Sequence, residues 1–204
     1  MKKLALVALL CATSFAQAAI TLGKDYTVLA KPQPVANPKK VEVIEFFSYT
    51  CIHCYHLEPT LSAWEKKRPA DVDFRREQIV WGQSMEGFAR LYSTLNVSGL
   101  LGKLHQPAFE AVLKQKTNLG DEAVLSGWIK QQAGADAGKF MQTYKSFGIN
   151  AQVKRASKMT RDYAIEGTPT IVVAGKYATL PAEPARLMQV VDELVAKARQ
   201  ERKK

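Results

Sequence analysis

The chain has 204 residues, a formal net charge of +10 from 29 basic and 19 acidic side chains, and 47% hydrophobic residues. That length suits one domain with an elaboration and is ample for a packed core. The basic excess is spread along the chain, which argues against a nucleic-acid face. Only the tail Lys197–Lys204 is concentrated, and it reads as a solvated helix end whose charge suits the helix dipole.

Met1-Lys2-Lys3 followed by an apolar run from Leu4 to Cys11 and then Ala16-Gln17-Ala18 has the plan of a secretory leader, with cleavage expected after Ala18. The run falls short of the roughly 20 apolar residues a membrane span needs. Cys11 follows bulky Leu10, where a lipid-modified cysteine would have a small neighbour. Residues 1–18 are therefore expected to be removed, leaving 27 basic against 19 acidic residues and two cysteines, Cys51 and Cys54, in an oxidising compartment.

Tyr26–Leu29 reads as a short strand, and Lys31–Lys40, with Pro32, Pro34 and Pro38, as an extended connector. Val41–Phe47 is rich in β-branched and aromatic residues and predicts a buried central strand. After the turn Ser48-Tyr49-Thr50, Cys54, Leu57, Leu61 and Trp64 recur at helical spacing, with Pro59 inside the helix. Val72–Val80 is the next strand. From about 84 to 163 the patterns are helical and punctuated by glycines: Met85/Phe88/Tyr92/Leu95, Val124/Leu125/Trp128/Ile129 and Phe140/Met141/Tyr144. Thr170–Ala174 and Tyr177–Thr179 form a hairpin through Gly175-Lys176, and Pro184 opens a last helix buried through Leu187, Val190, Val191, Leu194 and Val195. The order implies an α/β fold: one sheet with helices on it (19–83 and 164–204), interrupted by an all-helical insertion at 84–163. Whether that block is a separate module or a lid beside the cysteines is open at this level.

Cys51-Ile52-His53-Cys54 sits where strand gives way to helix. Cys51 should lie at the helix N-terminus, where free backbone N–H groups and the dipole favour a negative sulfur, and Cys54 one turn deeper on the same side. His53 adds a hydrogen bond or a positive charge that favours the Cys51 thiolate. A stable Cys51 thiolate is a good leaving group, and stabilising the dithiol makes the disulfide oxidising. The competing readings are weaker. A structural bridge over so short a loop restricts the unfolded chain little. Structural zinc needs four ligands, and beyond His53 and His56 only the distant His105 remains. Haem attachment needs histidine where Tyr55 stands.

Glu45-Phe46-Phe47-Ser48-Tyr49-Thr50-Cys51-Ile52-His53-Cys54-Tyr55, with Gly148-Ile149-Asn150, Gly167-Thr168-Pro169-Thr170 and Gly175-Lys176-Tyr177, resembles the DsbA family of periplasmic disulfide oxidases within the thioredoxin fold. The resemblance runs over essentially the whole chain after residue 18. It implies a thioredoxin fold with an all-helical insertion domain, and a thiol:disulfide oxidoreductase that donates a Cys51–Cys54 disulfide with no cofactor and no metal. It further implies a cis Thr168–Pro169 peptide beside the cysteines, with Thr168 backbone groups pairing with substrate. Glu45, an acid on an apolar strand, becomes the buried carboxyl that moves protons near Cys54. Glu58 matches a second acid of the family, although on its own it reads as a solvated helix residue. His56 reads as a surface or capping contact. Ile52 stands where the family usually has proline and adds apolar surface beside Cys51 for substrate. The partners implied are unfolded or partly folded secreted proteins with free cysteines, and a DsbB-type quinone-linked membrane oxidase for reoxidation. A periplasmic monomer without nucleic acid is expected. The runner-up is a disulfide isomerase or reductase, disfavoured because about 20 residues precede the first core strand; a metal-carrying or chaperone-like module is more distant still.

Overall fold

The computed structural model describes residues 19–202, so the expected leader at 1–18 lies outside the described residues. Strand β1 (Tyr26–Val28) and the proline connector lead into β2 (Val41–Phe47), α1 (Ile52–Lys67) and β3 (Val72–Gln78). Five helices follow: α2 (Glu86–Val97), α3 (Leu101–Leu113), α4 (Glu122–Ala133), α5 (Ala137–Tyr144) and α6 (Phe147–Asp162). The chain closes with β4 (Thr170–Val173), β5 (Tyr177–Thr179) and α7 (Pro184–Arg202). No described helix is long and apolar enough to cross a membrane.

The five strands form one sheet in the order β1-β5-β4-β2-β3. β2 is parallel to β3, which α1 connects, and antiparallel to β4. All seven residues of β2 are buried because both faces of the sheet are covered. Val41 and Val43 share a cluster with Leu57 and Leu61 of α1, Ile171 and Val173 of β4, and Val191 and Leu194 of α7. Ile44 and Phe46, on the opposite face by strand alternation, pack with Met159 and Tyr163 at the end of α6. Each such side chain contributes about 1.5–3 kcal/mol of burial. β3 stops at Gln78, two residues earlier than its β-rich composition suggests, level with the end of β2 at Phe47. The hairpin turns through Ala174 (φ 53°) and Gly175 (φ 62°), one residue earlier than the Gly-Lys pair predicted.

The helical block is neither a remote module nor a loose lid. Its core residues Leu91, Leu95, Leu104, Phe109, Leu125, Ile129 and Phe140 belong to the same cluster as Phe47, Tyr49 and Cys54. Thus the insertion supplies the wall of the cysteine site. Val124, which the helical pattern placed inward, is exposed, because α4 turns Leu125, Trp128 and Ile129 to the core instead.

Inside the block, α2 and the turn before α4 approach so closely that a Cβ on Gly87 would lie 1.9 Å from the Gly120 carbonyl oxygen. Gly127, within α4, has open space around it. Gly87→Ala is therefore expected to destabilise the fold by about 1–3 kcal/mol through overpacking. Gly127→Ala is expected to stabilise it by about 0.5–1 kcal/mol through helix propensity. Urea midpoints of the two variants against the wild type read both; equal shifts would contradict the packing.

Candidate active site

Cys51 is the N-cap of α1, in extended conformation (φ −95°, ψ 113°), and its Sγ accepts the Cys54 backbone N–H at 3.2 Å. The turn that delivers it is pinned from several sides. The Cys51 N–H donates to the Ser48 carbonyl at 3.0 Å, and the Tyr49 N–H donates to Gln78 Oε1 at 3.0 Å. Across the site, the Cys51 thiol donates to the Thr168 carbonyl at 3.2 Å, and the Thr168–Pro169 peptide is cis. The loop carrying Thr168 is anchored by the Trp81 indole N–H on the Ile165 carbonyl at 2.6 Å. Both cysteines are free thiols; Cys51 is half-buried and Cys54 fully buried.

The two sulfurs are held at opposite ends of the titration range. A hydrogen bond from the Cys54 thiol is the largest influence lowering Cys51, to about 5, and it outweighs burial with help from the Thr168 side chain and the backbone N–H groups of Cys54 and His53. Burial pushes Cys54 far above the ordinary thiol range, and the neighbouring Cys51 and Glu45 push the same way. The N-terminus of α1 favours charge on the Cys51 sulfur, and burial keeps the proton on Cys54.

Beneath Cys54 lies a buried charge cluster built by strand register and helix spacing. Glu45 and Arg76 are directly paired across the parallel β2–β3 ladder, so their side chains share one face. On α1, Cys54, Glu58, Ser62 and Glu65 follow at intervals of four, four and three and line the same side. Arg76 Nε lies 3.4 Å from Glu45 Oε2 and 3.3 Å from Glu58 Oε2; its Nη2 reaches Glu58 Oε1 at 2.9 Å and its Nη1 reaches Glu65 Oε2 at 2.6 Å. Glu45 is 1% exposed, and burial, opposed by Arg76, raises it to about 8. Burial pushes Glu58 up as well, but the nearby His105 ring, the Arg76 charge and Ser62 together hold it below the usual carboxylate range. Burial lowers His105, against the pull of Glu58.

The expected site residues therefore do not play equal parts in the geometry. Cys51, Cys54 and Thr168–Pro169 come together, with Glu45 and Glu58 behind them. Glu58 is buried rather than solvated, because its turn of α1 faces β3 and α3. The His53 imidazole is exposed, and it is the His53 backbone N–H that reaches the Cys51 sulfur. Ile52 is exposed next to Cys51. His56 is on the surface, against the Tyr55 ring. Two residues escaped the sequence reading. Arg76 looked like one polar position in a strand, and its only signal was the acid in the facing strand. His105, set aside as distant, is buried with Nδ1 2.8 Å from the Tyr49 hydroxyl and Nε2 3.5 Å from Glu58 Oε2; its spacing of four from Phe109 was the available hint.

Comparison with known proteins identifies the family of the chain. Residues 70–193 match the family model of the DSBA-like thioredoxin domain. The thiol:disulfide interchange protein DsbA of Burkholderia cepacia is 41% identical over 182 residues, spanning 87% of this chain and 85% of the relative. That of Pseudomonas aeruginosa is 36% identical over the full length of both. Among solved structures, the oxidoreductase NmDsbA1 from N. meningitidis superposes with a TM-score of 0.87 at 36% identity, covering 92% of this chain and 98% of that one. Pseudomonas aeruginosa DsbA gives 0.85 at 36% identity, covering 91% and 97%.

The depressed Cys51 titration has a definite sign in stability. Its folded value near 5 lies below the free-cysteine range, so the thiolate stabilises the reduced fold fully above about pH 8.5 and this is lost as pH falls through 5. The stability of the reduced protein relative to the oxidised one should therefore decline between pH 8.5 and 5. Urea midpoints of both forms, alongside thiolate absorbance of the reduced form, measure this. A redox difference that does not change with pH would contradict the assigned titration.

Proposed function

The chain belongs to the DSBA-like thioredoxin-domain family, and from that premise we propose that it donates a Cys51–Cys54 disulfide to unfolded or partly folded secreted proteins in the periplasm. It is a thiol:disulfide oxidoreductase. The observation that carries the direction of transfer is the split between the two sulfurs, Cys51 near 5 and Cys54 far above the ordinary range.

A substrate thiolate attacks Cys51 Sγ of the oxidised pair, forming an intermolecular S–S bond and breaking the Cys51–Cys54 bond. Cys54 leaves with the electron pair. Buried as it is, it needs a proton, and Glu45, protonated at neutral pH, is the donor. A second substrate thiolate then attacks the bridged substrate sulfur and expels the Cys51 thiolate, which the N-terminus of α1 stabilises. The substrate leaves with one disulfide and the enzyme with two thiols. Thr168 offers its main chain to an extended substrate, next to Pro169, and the exposed Ile52 offers apolar contact. His53 supports the thiolate and Glu58 holds the charge cluster. Reoxidation falls to a DsbB-type quinone-linked membrane oxidase. The thioredoxin-like unit is assigned to 19–83 and 164–204, the helical unit to 84–163, and the working form is a monomer.

Mixing the oxidised protein with a reduced, unfolded cysteine-containing protein tests this. Two substrate thiols should disappear for each enzyme pair reduced. Cys51→Ser should abolish transfer. Cys54→Ala, activated at Cys51 as a mixed disulfide with thionitrobenzoate, should form a covalent adduct with a single-cysteine substrate as thionitrobenzoate is released, visible on a non-reducing gel. Transfer that survives loss of Cys51 would sink the proposal.

A further inference from the structure

Two buried atoms in the charge cluster lack a hydrogen-bond partner, and they flank one shared bond. Glu45 Oε2, an acceptor, and His105 Nε2 are both orphaned. Between them runs the hydrogen bond from Arg76 Nε to Glu58 Oε2, at 3.3 Å. Glu45 Oε2 lies 3.4 Å from that same Nε, and His105 Nε2 lies 3.5 Å from that same Oε2. A single N–H thus faces two carboxyl groups, with a second donor waiting behind one of them.

The tautomer of His105 follows from its neighbours. Glu58 is held ionised and has no proton to give, so the ring proton belongs on Nε2, facing it. Nδ1 is then the acceptor for the Tyr49 hydroxyl at 2.8 Å. The charged and titratable groups around the ring are Tyr49 from the turn before Cys51, Glu58 and Glu65 from α1, Arg76 from β3 and Tyr92 from α2. The insertion contributes the ring itself, from α3.

We propose that His105 is a positioning residue for disulfide exchange: its Nε2–H takes over Glu58 Oε2 when Glu45 ionises, freeing the Arg76 Nε–H to turn to Glu45. While Glu45 keeps its proton, Arg76 Nε serves Glu58. When Glu45 gives that proton to Cys54, its new charge needs a donor, and Arg76 Nε is the one at hand. Glu58, 6% exposed, would leave Oε2 without a donor if His105 were not poised there, and an unpaired buried acceptor is costly. Both orphans are satisfied in the same move. The inference rests on Glu45 as the proton donor to Cys54.

The test reads Glu45 itself, by carbon-13 NMR titration of its carboxyl in the reduced protein. In His105→Asn the amide reaches the Tyr49 side but not Glu58, so the Glu45 midpoint should rise by about one pH unit, because its charged form loses support. His105→Gln, whose amide reaches the Nε2 position, should keep the wild-type midpoint. Tyr49→Phe, which frees the ring tautomer, should shift it in the same direction by less, and serves if His105→Asn does not fold. Cys51 thiolate absorbance should stay in place throughout. An unmoved midpoint in the Asn variant, or equal shifts in Asn and Gln, would overturn the assignment. Separately, a pH–rate profile for exchange that ignores the Glu45 midpoint would count against Glu45 as donor while leaving the His105 contact standing.

Discussion

The site depends on one constraint: a sulfur must carry negative charge at the first turn of α1 while its partner, one turn deeper, must not. The N-terminus of a helix offers unpaired N–H groups to the first position only, and at the second the surrounding core withdraws solvent from Cys54. The Cys51–Cys54 spacing therefore turns a single helix start into two opposite electrostatic environments. The cis Thr168–Pro169 segment closes the exposed side of Cys51, and the helical insertion closes the buried side of Cys54.

Burying Cys54 has a second consequence in the proposed exchange, where each transfer releases it as an anion that needs a proton. Glu45 is carried into the interior by β2, on the face that alternation assigns to α1. One guanidinium, Arg76, then balances Glu45, Glu58 and Glu65 at once. Such a cluster adds little net stability, because desolvation offsets much of the ion-pair attraction. What it provides is a buried carboxyl held near 8, a value suited to proton transfer near neutral pH.

The insertion is part of this chemistry as well as of the packing. His105 on α3 meets Phe47 and Tyr49 edge to face, and Phe109 meets Tyr49 edge to face and Phe47 at a tilt. The same contact surface thus holds the turn before Cys51 and brings an imidazole to Glu58. A helical block grafted between two strands of a sheet thus supplies the far wall of the charge cluster.

Much of this was legible in the residues taken in order. β-Branched and aromatic composition located β2, three-and-four spacing located α1 and α7, and the short Cys51–Cys54 loop after a strand announced redox chemistry. An acid among the apolar residues of β2 marked Glu45 as unusual, because burying it unpaired would be costly. These are local features, determined by propensity and by groups a few residues apart. The partners were not local. Arg76 meets Glu45 only through the β2–β3 register, which depends on where α1 returns the chain. His105 meets Tyr49 across 56 residues, through the packing of α3 on the sheet end. The sequence by itself determined which groups carry charge and which helix they start. Only the tertiary structure decided which charges face one another, because pairing between distant segments depends on register and packing that no local pattern encodes.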